Sequence, residues 1–356
     1  MEAVSDFEAI RRKLLEIKKP KTALIRGLST GSTLLNLACS SYPDWGFALG
    51  TYVFLVGDSV SGKTFLSLTC LAEAARSKRF ADYRFVYDNV EGGAMMDIQR
   101  FFGGRVAERL ESPGDGCSTT IEEFYYHLDD ALAGPCIYVL DSMDSLTTED
   151  EDDKFAETKK AHRNGRQVSG NYGTSKAKAN SANIRRIIPK LRETRSILIV
   201  ISQTRDNIGF GSQFQPKIRS GGHALRFYAN LEIWSSVRSR IKKTVSGKDR
   251  QLGIICKAEV KKNRLTGRER TVEIPILHSY GIDDLGSCVD FLVGEGHWKK
   301  GGSMIEAKDL GYKAGRDRLI EKIEEDGRER ELRELVAKVW EDIESACEVK
   351  RKNRYE

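Results

Sequence analysis

Gly57-Asp58-Ser59-Val60-Ser61-Gly62-Lys63-Thr64 satisfies GxxxxGK[ST] without a gap. Glycines let backbone N–H groups turn toward phosphate oxygens, and the lysine supplies a cation for the β- and γ-phosphates. The hydroxyl that follows is a magnesium ligand. Residues 57–64 are therefore expected to bind ATP with Mg²⁺, with Lys63 on the phosphates and Thr64 on the metal. A second metal partner is expected at another strand end, and Asp141 directly follows the apolar run 136–140. Asp144 is a weaker candidate for the same task. Hydrolysis also needs a group that orients or deprotonates water. Glu91, just beyond the apolar run 85–87, is the candidate, with Asp88 next in line. Gln203 follows the run 197–201 and is a candidate for sensing the γ-phosphate.

These groups must be held by strand ends, and the chain supplies them. Short runs rich in Val, Ile and aromatic residues recur at 52–56, 85–87, 137–140 and 197–201. Longer helical patterns at 65–77 and 121–133 lie between them. Such alternation reads as an α/β domain whose mostly parallel central strands are buried on both faces. Further β-like segments fall at 229–237, 252–260 and 271–277, with a charged turn at 261–270 as in a hairpin. Residues 4–18 carry apolar side chains at helical spacing and end at Lys19-Pro20, which predicts an isolated N-terminal helix. Two segments read as long loops, about 147–180 and 204–222. The first is acidic and then basic. The second mixes Gly, Gln and Arg with Phe210 and Phe214. Residues 316–346 read as a small helical domain or cap.

Composition bounds the class. The 356 residues are 40% hydrophobic and 31% charged, with 58 Lys plus Arg against 52 Asp plus Glu, formally +6. That excludes a wholly disordered or collagen-like chain, and it permits a nucleic-acid partner without requiring one. Seven cysteines stand singly with no CxxC pair, so no zinc site is expected and free thiols in a reducing compartment are. No apolar run reaches 18 residues and no signal peptide is visible, which predicts a cytoplasmic protein with no membrane partner.

The strand ends, in this order, resemble the core of the RecA-family recombinases. The resemblance begins at Leu28-Ser29-Thr30-Gly31-Ser32 and runs through the phosphate loop, Leu140-Asp141-Ser142 and Ile201-Ser202-Gln203. Its most discriminating part is Gly221-Gly222-His223-Ala224-Leu225-Arg226-Phe227-Tyr228-Ala229, similar to the family's GGxALxFYA stretch. Lys262-Asn263-Arg264 resembles the family's KNK segment, and Tyr280-Gly281-Ile282 its YGxGI. The spacing from Asp88 to Glu91 is one residue longer than the usual Asp-x-Glu.

The resemblance implies a P-loop NTPase with a RecA-like core at 28–285, an N-terminal helix for oligomerisation within 1–27, and an α-rich domain at 286–356. It implies a helical filament in which Lys262 and Arg264 reach a neighbour's γ-phosphate. It implies a DNA-dependent ATPase that pairs single-stranded DNA with homologous duplex DNA and exchanges strands. Alternatives are a filament protein with little hydrolysis and a hexameric helicase motor of related fold. The two loops would hold DNA through Arg163, Arg166, Tyr172, Lys176 and Lys178, and through Arg205, Lys217 and Arg219 with Phe210 or Phe214 as a wedge.

Overall fold

The computed structural model describes residues 27–92, 96–114, 116–164, 175–206, 217–219 and 222–351. The expected helix at 4–18, and Arg166, Tyr172, Phe210 and Phe214, lie outside the described residues.

The main sheet is built on seven long strands: β1 Thr51–Gly57, β2 Arg84–Asp88, β3 Cys136–Leu140, β4 Ile197–Asp206, β5 Leu231–Val245, β6 Lys248–Asn263 and β7 Arg270–Leu277. Their spatial order is β7-β6-β5-β1-β4-β3-β2, with short strands at both edges. From β5 to β2 all neighbours are parallel, whereas β5, β6 and β7 form an antiparallel meander. The central runs 52–56, 136–140 and 197–201 are apolar at every position because both faces are covered. Val53 and Leu55 join one core cluster, while Tyr52, Phe54 and Val56 join the other. Strands β3 and β4 divide their residues in the same alternating way.

The helices used below are α1 Thr33–Ser40, α2 Lys63–Arg76, α3 Ile121–Ala131, α4 Glu149–Arg163, α5 Ser175–Thr194, α6 Gly222–Tyr228, α7 Asp284–Gly294, α8 Arg316–Glu325 and α9 Glu329–Ala346. Helix α2 packs Leu66, Leu68 and Leu71 into the first cluster, and α3 packs Ile121, Phe124 and Leu128 into the second.

One reading needs correction. The tract 147–180 is largely helix, not loop. Its acidic-then-basic order suits a helix. Glu149, Asp150, Glu151 and Asp152 occupy the first turn of α4, while Lys160, His162 and Arg163 occupy the last, so both ends oppose the macrodipole. Thr148 caps it by accepting from the Glu151 N–H, and no residue of α4 is buried. The C-terminal region carries the expected helices over 316–346 and a small sheet besides. Residues 299–301, 304–307 and 312–315 form a three-stranded antiparallel sheet before α8 and α9.

That region is bound to the rest of the fold. The Asp284 carboxylate accepts from Thr33 N at 2.6 Å and Thr33 Oγ1 at 3.0 Å on α1, and from Arg333 Nε at 2.9 Å on α9. Helix α7 crosses position 285, and its buried Val289 and Leu292 share a cluster with Leu332 and Val336 of α9. Among the described residues no helix is long and apolar enough to cross a membrane.

Candidate functional site

Strand β1 ends at Gly57, between β4 and β5, and the next residues form the turn that leads into α2. The close packing demands glycine at that point. A Cβ on Gly57 would lie 2.2 Å from Ser235 Oγ and 2.3 Å from the Ser235 carbonyl oxygen. Gly62, which caps α2, has φ of 90°, in the left-handed region. Ser61 Oγ bonds the Asp58 carbonyl at 2.8 Å and shares a 2.7 Å hydrogen bond with Ser235 Oγ. Ser235 thus backs the loop from β5, a role that sequence reasoning missed.

Lys63 Nζ donates to the carbonyls of Gly57 at 3.0 Å and Asp58 at 2.6 Å, folding back across the turn. Burial lowers its pKa, against the attraction of Asp141, Glu91 and Asp58. Thr64 Oγ1 donates to Asp141 Oδ2 at 2.6 Å, and Tyr87 Oη donates to the same oxygen at 3.0 Å. Burial holds the Asp141 carboxyl above the ordinary value despite those two hydrogen bonds. A hydroxyl and a carboxylate oxygen meeting at one point suit Mg²⁺, which takes few protein ligands and completes its shell with water and phosphate. Consistent with so sparse a site, no group of three or more His, Cys, Asp or Glu among the described residues is arranged to hold a metal ion.

Glu91 stands opposite. Its backbone N–H donates to the Asp141 carbonyl at 3.1 Å. Its Oε1 accepts from Ser142 Oγ, and from Gln203 Nε2 at 2.8 Å. Gln203 is fixed by its own backbone N–H, which donates to Asp144 Oδ2 at 2.6 Å. Asp144 therefore orients Gln203, whereas Thr64 is bonded to Asp141. Glu91, Gln203, Lys63, Thr64 and Asp141 all line one cavity of about 320 Å³, with Met96, Ile254, Ile276 and His278 on its apolar side. Asp88 takes no part in it. It is buried and accepts from Ser118 N at 2.9 Å, Ser118 Oγ at 2.6 Å and Tyr138 Oη at 2.9 Å.

The chain is similar to known proteins along most of its length. A family model described as the RecA N-terminal domain matches residues 126–283. "Protein RecA" of Cytophaga hutchinsonii is 28% identical over 305 residues, covering 82% of this chain and 75% of that protein. The proteins of the same name from Bacteroides thetaiotaomicron and Caulobacter sp. are 27% and 28% identical, covering 82% and 83% of this chain and 80% and 76% of theirs. The family model thus covers the middle of the chain, and the similarity to RecA proteins extends over most of its length.

The remaining candidates lie elsewhere. Lys262 and Arg264 do not line the cavity. Lys262 pairs with Glu232 on β5, which pairs with Phe54, three residues before Gly57. That sets it back by about 10 Å along the strand direction. Its Nζ donates to the carbonyls of Arg226 at 2.5 Å and Phe227 at 2.9 Å, and Arg264 donates to the latter at 2.7 Å. Both cations thereby meet the C-terminal carbonyls of α6.

Lys217 is held by the Asp58 carboxylate of the phosphate loop, which also accepts from Thr204 Oγ1. Burial would raise Asp58, but these partners outweigh it and hold its carboxyl below the ordinary value. Here, then, the expected DNA ligand Lys217 is engaged within the chain. Residues 217–219 pair antiparallel with 204–206, which places the backbones of Arg205 and Arg219 in a two-stranded extension of β4. Arg163 lies in the last turn of α4. Lys176 Nζ donates to the Leu146 carbonyl at 2.5 Å, and Lys178 is exposed on α5.

Proposed function

We propose that this chain is a DNA-dependent ATPase that forms a helical filament on single-stranded DNA and catalyses homologous pairing and strand exchange, in a cytoplasmic setting. The observation that carries the reading is the contact of Gln203 with Glu91. A candidate water-activating carboxylate thereby touches the strand that continues into segment 204–219. Nucleotide state and DNA grip then share one element.

Lys63 and the N-terminus of α2 bind the phosphates. Thr64 and Asp141 would hold Mg²⁺, whose charge would offset that of the phosphate oxygens. Glu91 orients water and takes its proton. Gln203 bonds the γ-phosphate and shifts the start of the DNA segment. Arg205, Lys217 and Arg219, with Phe210 or Phe214, contact the single strand, joined by Arg163, Arg166, Lys176 and Lys178. Lys262 and Arg264 serve the neighbouring protomer's nucleotide. Residues 28–285 carry this machinery, 1–27 aid oligomerisation and 286–356 form the accessory C-terminal part.

Turnover of ATP with and without single-stranded DNA, combined with electron microscopy of the ATP-analogue complex, tests the reading. DNA-stimulated turnover and helical filaments are expected. Filaments with no turnover would favour a binding protein, and closed rings a helicase-type motor.

A further inference from the structure

Strand β2 lies beside β3, with Tyr87 paired to Val139 and Asp88 to Leu140. Alternation sends its side chains to opposite faces. Phe85 and Tyr87 join the core cluster that α2 packs into, whereas Val86 joins the other. Tyr87 is therefore buried on the face from which Thr64, at the start of α2, approaches Asp141.

Tyr87 Oη donates to Asp141 Oδ2 at 3.0 Å, the same oxygen that accepts from Thr64 Oγ1 at 2.6 Å. Among the described residues nothing donates to Asp141 Oδ1. Lys63, whose charge also acts on Asp141, directs its hydrogen bonds to the Gly57 and Asp58 carbonyls. Two hydroxyls from different elements thus converge on one carboxylate oxygen. A hydroxyl has one hydrogen and two lone pairs. Thr64 can serve a cation only with a lone pair, so its hydrogen must be taken from behind, and Asp141 Oδ2 takes it. A carboxylate held by that single bond can turn about its Cβ–Cγ axis and swing toward the Lys63 ammonium. A second bond, from a ring fixed in the core, removes that freedom. Burial, with the Asp141 charge beside it, pushes the Tyr87 hydroxyl well above its ordinary value, so it stays a donor.

We propose that Tyr87 is a positioning residue for the magnesium site: by fixing Asp141 Oδ2 it makes Thr64 turn its hydrogen to the acid and a lone pair into the cavity. The inference rests on the reading of Thr64 and Asp141 as the groups that would hold Mg²⁺, and it adds the outer partner that orients them. Tyr87 itself does not line the cavity, so it acts through Asp141. Outer partners of this kind are worth roughly 10- to 100-fold in metal affinity.

The test compares the affinity of the full chain for a fluorescent ATP analogue in EDTA and in Mg²⁺. In the parent Mg²⁺ should raise that affinity. Tyr87→Phe keeps the ring and removes one hydrogen bond. Its affinity in EDTA should match the parent's, and the gain from Mg²⁺ should fall about tenfold or more. Raising the Mg²⁺ concentration should recover the lost affinity. Asp141→Asn should lose much of the gain, and adding Tyr87→Phe to it should change little further, because the two side chains act as one unit. A packing role alone would lower the melting temperature of Tyr87→Phe and leave the gain from Mg²⁺ intact, and that result overturns the proposal. So does a full further loss in the Asp141→Asn background, which would mean that Tyr87 acts on another group. A parent whose affinity does not respond to Mg²⁺ would refute the metal reading of Thr64 and Asp141 itself, and the inference would fall with it.

Discussion

Glu91 and Asp88 lie three positions apart and have opposite environments. Glu91 faces the cavity and accepts from Ser142 and Gln203, whereas Asp88 is sealed among Ser118 and Tyr138. Glu91→Gln is expected to keep nucleotide binding and to cut turnover about 10²-fold or more, as measured by steady-state phosphate release and by titration with a fluorescent nucleotide. Asp88→Ala should show the reverse pattern. It strands a buried N–H and a buried tyrosine hydroxyl, costing about 3 kcal/mol, and urea unfolding should reveal the loss while nucleotide affinity is kept. The sequence left the two carboxylates in competition, because both follow the same strand. What separates them are contacts with Ser118, Tyr138 and Gln203, which are 30, 50 and 112 residues distant. Tyr87 on Asp141 and Ser235 behind the phosphate loop were hidden for the same reason. Ser142, adjacent to Asp141, stood within reach of sequence reasoning.

Among elements, the buried strands were the most legible. The runs at 52–56, 85–87, 137–140 and 197–201 are apolar at every position, and the sheet contains them as β1 to β4. Helix α4 escaped because it buries nothing, and its only signals were a threonine cap and the order of its charges. The far half of the β5–β6 hairpin escaped because alternation there is of charged residues, with no apolar face. The β4 extension is tied to the phosphate loop through Asp58, Thr204 and Lys217. Asp58→Ala removes that tie and leaves Lys217 available to phosphate. Nucleotide-free affinity for oligo-dT is expected to rise several-fold, and the log–log salt slope to steepen by about 0.7, as read by anisotropy. If Lys217→Ala in the Asp58→Ala background leaves the raised affinity intact, the lysine is not the group released.

For the whole molecule, the position of Lys262 and Arg264 matters most. They sit behind the cavity at the end of α6, out of reach of their own phosphate loop. Lys262→Ala with Arg264→Ala should give a folded protein that loses cooperative, DNA-stimulated turnover. Mixing it with Lys63→Ala protein should restore part of that turnover, because some interfaces then pair an intact loop with intact cations. Mixed filaments with no recovery would show that the cations act within their own chain. Lys262 and Arg264 stood out in the sequence only through the likeness of their segment to a family motif, whereas the burial of Leu319, Leu332 and Val336 in the C-terminal helices was visible as helical periodicity.

The cysteines carry a consequence of another kind. Cys347 is exposed and Cys117 half-buried, while Cys39, Cys70, Cys136, Cys256 and Cys288 are shut in the two cores. Burial pushes the Cys136 thiol up to about 11, the Cys256 thiol to about 12, and the other three upward as well. Near neutrality the nucleophilic thiolate is then scarce at all five, so a disulfide reagent reaches them only when the surrounding structure opens. Cys39 lies on α1, Cys70 on α2, Cys136 on β3, Cys256 on β6 and Cys288 on α7. Modification rates followed cysteine by cysteine would chart which parts of the protein breathe separately and which come apart together.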